Sequence, residues 1–349
     1  MKLEELDFEI SSDLIALRPK QPRDESKILI SENPLRIIRF KNIIEILNPG
    51  DVLVINDTKV IRSDITGYVN KSKVSVNLNK IIDKKRNLWS VFIKSKKKIR
   101  PNQIIDFRDK VYCKIIEIRK DKNYLSYIVK FSLIHSELIE FLDSHGNAPL
   151  PPYIKKKRLI NQSDYKNYQT IFANRIGAVA APTASLHFTK RLVNKIKKKG
   201  VNIVKLTLHV NGGTFIPIKS NNIEDHLMHF EKGIITQESA NKINFLKKNG
   251  GRVFAVGTTV LRLLESSKDH KGIVKAFDGE TNIFIKPGWK VNTIDALITN
   301  FHTPKSTLLL LIYAILGKKK TQEIYKFAIK NKMRFFSYGD ACLIWNKNE

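Results

Sequence analysis

RVFAVGTTVLRLLES (252–266) reads as a buried strand running straight into a helix: an apolar run, a glycine, two threonines, then leucines at helical spacing. The pattern repeats on both sides. VNIVKLTLHV (201–210) is a strand that follows a helix capped by Thr189 and stopped by Gly200, and ESANKINFLKKNGG (238–251) is a second glycine-stopped helix. IDALITNF (294–301) is a strand leading into a helix with Pro304 in its first turn. Strands alternating with helices indicate a largely parallel sheet or an α/β barrel, with loops at the carboxyl ends of the strands. Upstream, GDVLVIND (50–57) is one more buried strand. From about Ile61 to Phe131 the texture changes to short alternating stretches such as KVSVNL, LWSVFIK and YLSYIVKF, broken by Asn, Asp and Lys turns. A helix, HSELIEFLDSHG (135–146), and a proline-rich hinge, APLPPYI (148–154), follow. The expected fold is α/β. Residues 1–60 and 150–349 form an α/β barrel-like catalytic domain, and 61–149 form an inserted small antiparallel β-barrel domain.

The chain has 349 residues and a formal charge of +29, from 62 Lys plus Arg against 33 Asp plus Glu. Such a field favours a polyanionic partner, because phosphate neutralisation releases counterions. Lysine, isoleucine and asparagine are all abundant, so A/T-rich coding accounts for part of the charge. The basic runs KSKKKIR (94–100), KKKR (155–158) and KIKKK (195–199) suit phosphate contacts, though any one alone reads as a solvated face. Cys113 and Cys342 lie far apart with no ligand spacing around them, which fits a reducing cytoplasm and argues against a disulfide framework. MKLEELDFEI lacks the apolar core of a signal peptide, and the longest apolar run, Leu308 to Leu316, is half a membrane span. A cytoplasmic protein with no membrane contact is expected.

Chemistry concentrates at strand ends. His187, His209 and His302 each close an apolar segment; one such histidine is usually a satisfied core residue, but three are harder to dismiss. Gly212, Gly213 and Thr214 follow His209, where backbone can approach a ligand or simply turn. Thr258 opens a helix whose free N–H groups suit an anion, and Asn300 and Ser306 flank the next strand-to-helix passage. Asp57 ends the first strand, and Glu231 follows the His226/His229 pair. That pair lacks a third ligand at recognisable spacing, so no metal is expected. No glycine-rich loop follows the first strand and no Walker motif is present, which disfavours methyltransferase and common nucleotide-binding classes.

The blocks ALRPKQPRDESKILI (16–30), GDVLVINDTKVI (50–61), PLPPYI (149–154), AVAAPTASLHFT (178–189), TLHVNGGTF (207–215), EDHLMH (224–229), AVGTTVLRLLES (255–266), TNFHTPKSTLLLL (299–311) and RFFSYGDA (334–341) together resemble the S-adenosylmethionine:tRNA ribosyltransferase-isomerase family of queuosine biosynthesis. The resemblance spans nearly the whole chain. It implies S-adenosyl-L-methionine as a ribosyl donor, with no metal. The acceptor it implies is tRNA whose guanine-type wobble position carries prequeuosine. The ribosyl part is transferred and isomerised, adenine and methionine leave, and the product is epoxyqueuosine-tRNA. It also implies a monomeric enzyme. On this reading His187 and His209 are proton-transfer candidates, with Asp57 and Glu231 near the sulfonium or amine; Thr258, Asn300, His302 and Ser306 contact the co-substrate, and Gly212, Gly213 and Thr214 line it with backbone. Some positions depart from the family's pattern. Its NDTRVIPARL stands here as NDTKVIRSDI, with Lys59, Arg62 and Asp64 as replacements, and its TDIFI has Asn282 in place of the carboxylate. A catalytically eroded tRNA-binding relative is therefore the alternative.

Overall fold

The structure is a computed structural model that describes residues 3–120, 125–215 and 222–346. In chain order, β1 (Lys27–Ile30) and β2 (Arg36–Arg39) form a hairpin, followed by β3 (Val52–Asn56) and the short β4 (Thr58–Val60). Six strands come next: β5 (Asp64–Val69), β6 (Ser72–Asp83), β7 (Leu88–Ser95), β8 (Ile104–Asp106), β9 (Tyr112–Lys120) and β10 (Leu125–Phe131). Then come α1 (His135–His145), α2 (Pro152–Lys157), α3 (Ser163–Asn167), β11 (Arg175–Ala178), α4 (Lys190–Lys198), β12 (Asn202–Leu208) and β13 (Glu231–Ile235). The chain finishes with α5 (Gln237–Lys248), β14 (Val253–Val256), α6 (Thr258–Ser267), β15 (Phe277–Thr281), β16 (Ala296–Asn300), α7 (Thr307–Lys330) and β17 (Ala341–Trp345).

Nine strands make one mixed sheet in the order β15-β13-β12-β3-β14-β16-β17-β1-β2. The expected α/β architecture is present, but the sheet is open and only half parallel: β12, β3, β14 and β16 run together, and β17 pairs parallel with β1. The antiparallel additions β13, β15 and β17 escaped the sequence reading because pairing direction depends on partners across the sheet and not on the local apolar run. β3 shows why the centre holds. Val52 and Val54 pack into one core with α5, α6 and α7, whereas Leu53 and Ile55 pack into the other with α4 and the 3-10 turn at Phe40–Glu45. Alternate residues thus face opposite layers, and a strand covered on both sides must be apolar throughout.

β5 to β10 close into a barrel in the order β10-β7-β6-β5-β8-β9, filled by Val74, Val76, Trp89, Ile115 and Val129 among others. The antiparallel barrel expected from the alternating stretches is present. One boundary differs from expectation: α7 begins at Thr307 with Ser306 as its N-cap, so Pro304 lies ahead of the helix rather than in its first turn. The hydroxyl of Ser306 accepts from the Leu309 N–H at 3.2 Å, a stronger start signal than the proline. None of the helices among the described residues is long and apolar enough to cross a membrane.

Candidate active site

The parallel strands β3, β14 and β16 end on the same side of the sheet, and a cavity of about 380 Å³ opens there. Its floor is Thr299–Pro304 after β16 and Gly257–Thr259 after β14; Ala180–Ala184, Tyr153, Lys156 and Phe336 form the walls. The size and the apolar walls with a few convergent polar groups suit a small molecule.

Two helices point their starts at this space. α6 begins after Gly257, whose φ of +99° lets the strand turn abruptly into the helix. The N–H groups of Val260 and Leu261 both return to the Gly257 carbonyl, at 3.1 and 3.3 Å, so those of Thr258 and Thr259 have no helical acceptor. α7 starts at Thr307, and Ser306 and Leu308 also line the cavity. Two positive helix ends favour a carboxylate or phosphate. Asn56, at the end of β3, holds this corner together: its Nδ2 donates to the Leu208 carbonyl (2.9 Å) and to Thr259 Oγ1 (3.3 Å), and its Oδ1 accepts from the N–H groups of Thr58 and Leu208.

Asn300 has a fixed orientation. Its Nδ2 lies 3.2 Å from the Phe336 carbonyl, which can only accept, so that atom must be the nitrogen. The same nitrogen donates to His187 Nε2 at 3.3 Å, while Oδ1 accepts from Thr183 Oγ1 at 3.1 Å. His187 therefore carries its proton on Nδ1 and donates it to Ser26 Oγ at 2.8 Å. Stacked on Phe40 at 4.9 Å, the ring is buried, and burial pushes its pKa down to about 4, with Asp340 opposing and Arg334 and Arg23 reinforcing the drop. His302 shares a hydrogen bond with Thr299 Oγ1 through Nε2 at 3.0 Å, and burial lowers its pKa to about 3. Tyr153 is the reverse case: burial raises its phenol to about 12, and its oxygen accepts from the Ser337 N–H at 3.0 Å. Its ring meets Phe336 edge to face at 5.2 Å. Among the described residues lining the cavity, the ionisable groups are Lys156, Tyr153 and His302, with no carboxylate.

Of the residues singled out in the sequence, Thr258, Asn300, His302 and Ser306 come together around the cavity. His187 does not line it and lies behind Asn300. His209 Nδ1 pairs with Thr58 Oγ1 at 2.8 Å; burial lowers its pKa, and Asp57, held by Thr207 Oγ1 at 2.6 Å, opposes that. Neither His209 nor Asp57 lines the cavity, although the next residue along, Val210, does. Glu231 is buried elsewhere, ion-paired with Arg262 and accepting the Asn211 N–H at 3.0 Å. Gly212 donates its N–H to Asn79 of the barrel at 2.9 Å, and Gly213 packs so tightly on the His229 ring that a Cβ would fall 2.3 Å from it. The side chain of Thr214 lies outside the described residues. Sequence reading missed Tyr153, Lys156 and Thr183. Pro151-Pro152-Tyr153 was the available signal, but it read as a hinge.

Asp64, the charge reversal against the family pattern, meets Lys155 at 2.5 Å and Ser75 at 3.2 Å. Its new charge is thus answered from the KKKR run. Arg62 lies over the Tyr165 ring at 4.3 Å.

A family model described as queuosine biosynthesis protein matches residues 3–344. Two proteins named S-adenosylmethionine:tRNA ribosyltransferase-isomerase, from Zymomonas mobilis and Rickettsia bellii, are 43% and 44% identical to the chain, each alignment covering 99% of it and 100% of the relative. A crystal structure of S-adenosylmethionine tRNA ribosyltransferase from Thermotoga maritima superposes with a TM-score of 0.53 at 28% identity, covering 97% of this chain and 99% of that one.

Proposed function

The chain belongs to the queuosine biosynthesis protein family, and on that basis we propose that it is an S-adenosylmethionine:tRNA ribosyltransferase-isomerase. It transfers and isomerises the ribosyl part of S-adenosylmethionine onto prequeuosine at a guanine-type wobble position, releasing adenine and methionine. One observation carries the reading. Thr258, Asn300, His302 and Ser306, from separate blocks of the chain, line one cavity at the starts of α6 and α7. The N-termini of α6 and α7 suit its carboxylate. The faces of Tyr153 and Phe336 suit a sulfonium or a stacked adenine, which a carboxylate-free wall does not otherwise accommodate.

The reaction needs a proton removed from the carbon beside the sulfonium, protonation of departing adenine, and exclusion of water. His302 is neutral and faces the co-substrate, so it can hold a proton only in passing. His209, supported by Asp57, stays a proton-transfer candidate toward the acceptor amine. His187 and Glu231 take positioning roles, the first through Asn300 and the second through Arg262 and Asn211. Gly212 and Gly213 hold the loop after β12 against the barrel and His229. Residues 61–149 as a separate inserted domain, a monomeric state and a cytoplasmic location belong to the same reading; the two buried free cysteines support the last.

The test is turnover. Purified protein with S-adenosylmethionine and prequeuosine-containing tRNA should yield epoxyqueuosine and free adenine by mass spectrometry. Tight tRNA binding without adenine release would instead establish the eroded relative.

A further inference from the structure

A second, much smaller recess of about 10 Å³ lies against the wall that carries Asn300. It is lined by Lys20, Arg23, Ser26, His187, Arg334 and Tyr338, and it shares Ser337 with the main cavity. Apart from His187, these residues come from the ALRPKQPRDESK and RFFSYGDA blocks, which the co-substrate site leaves largely unused.

The chain of orientations already fixed at Asn300 ends here. Because Nδ1 of His187 donates to Ser26 Oγ, the Ser26 hydroxyl has its own hydrogen left over, with no acceptor among the described residues. Ser26 is 1% exposed, and a buried donor without an acceptor is costly. The cations beside it also have capacity to spare. Arg23 spends three N–H bonds on the carbonyls of Lys166, Asn167 and Gln169, leaving two of its five. Arg334 is paired with Asp340 and reaches the Arg18 carbonyl, and Lys20 has no partner among the described residues. Of the negative charges nearby, Asp340 is answered by Arg334 and by backbone N–H groups of Lys27 and Arg334, whereas Asp24 meets Thr189 and Arg191 through Oδ2 alone and keeps Oδ1 without a hydrogen bond, though it does not line the recess. The recess is thus positive, walled by donors, and without a lining carboxylate.

We propose that this recess receives one non-bridging oxygen of a backbone phosphate of the RNA substrate, next to the nucleotide being modified. The proposal rests on the reading of the protein as a tRNA-modifying enzyme. Size bounds what the RNA can place there: about 10 Å³ admits one oxygen-sized atom and no base or sugar, and a diester phosphate at the surface can insert a single oxygen. Lys20 and the guanidinium edges neutralise it, and Ser26 donates from the floor.

The experiment is tRNA binding by fluorescence anisotropy across a salt series, for the full chain and for Lys20→Ala, Lys20→Glu and Lys319→Ala, alongside KM for S-adenosylmethionine. Lys319 is an exposed lysine of α7 and serves as the control. Lys20→Ala should weaken tRNA binding about three- to tenfold and flatten the log–log salt slope by about 0.7–0.9, the loss of one phosphate contact. Lys20→Glu should lose more, and KM for S-adenosylmethionine should not move. An unchanged slope in Lys20→Ala, or an equal loss in Lys319→Ala, would overturn the site in favour of a diffuse field. Inorganic phosphate that binds the wild type but not Lys20→Ala, and leaves tRNA bound in both, would assign the recess to a free anion and also overturn it. Anisotropy needs no turnover, so a protein that binds tRNA but releases no adenine sinks the enzymatic reading and still decides this one.

Discussion

His187→Gln separates a proton-transfer residue from a positioning one. The neutral ring supplies one donor, to Ser26, and one acceptor, to Asn300. A glutamine amide supplies one of each at similar reach, but it can exchange no proton at any working pH. It forfeits the stack on Phe40 and some apolar burial, about 1–2 kcal/mol, or a fall of a few degrees in Tm. Turnover should stay within about tenfold, because Asn300 keeps its bonds to the Phe336 carbonyl and Thr183. Loss of a general acid or base would instead cost about 10²–10⁴-fold. Stability against pH gives an independent sign. The folded-state pKa of His187 lies at about 4, below the ordinary 6.5, so the unfolded chain takes up the proton first as pH falls. Wild-type stability attributable to this group is fully present above pH 6.5 and drains away toward pH 4, by about 3 kcal/mol. Glutamine has no such term. The stability gap between wild type and variant, read by denaturant titration, should therefore narrow and then reverse over that window. Adenine release by chromatography supplies the rate. A well-folded variant with a thousandfold lower rate, or one restored by added imidazole, would refute the positioning role, as would a gap constant with pH.

Glu231→Gln breaks a buried ion pair whose partner Arg262 already has Nε and Nη2 without hydrogen bonds, so a loss of about 3 kcal/mol in chemical denaturation is expected. A stable variant devoid of turnover would return Glu231 to the chemistry. Gly177→Ala places a Cβ 2.8 Å from the His209 ring at a φ of +154°, and should cost about 2 kcal/mol and disturb the Thr58–His209 bond, visible in the imidazole NMR signals. Lys155→Ala and Asp64→Ala, measured singly and together, should show a coupling of about 1 kcal/mol; additive effects would mean that the pair does not hold the barrel to α2.

The sequence disclosed which strand and helix ends would meet but not how their side chains would be wired. A strand ending in Asn300-Phe301-His302 and a helix opening at Thr258 are local facts, written in apolar runs, glycine and hydroxyl caps, and the sheet places their ends together. The sheet's parallel centre was legible for the same reason. Its antiparallel strands were not, because the direction in which β13, β15 and β17 pair is set by which residues meet across the sheet and not by the local apolar pattern.

Roles depend on such distant partners even more. Whether a histidine at a strand end transfers protons or props an amide is decided by what meets its second nitrogen. For His187 that is Ser26, 161 residues away, and the Phe336 carbonyl fixes the tautomer without touching the ring. Asp64 makes the same point. In the linear pattern it is a lost arginine; in the fold it is half of an ion pair with Lys155, 91 residues on. A departure judged against relatives at one position measures divergence, whereas its consequence depends on the residue it meets. Here that residue lies on α2, the helix that also brings Tyr153 and Lys156 to the cavity. The charge reversal therefore links the barrel to the helix that lines the cavity.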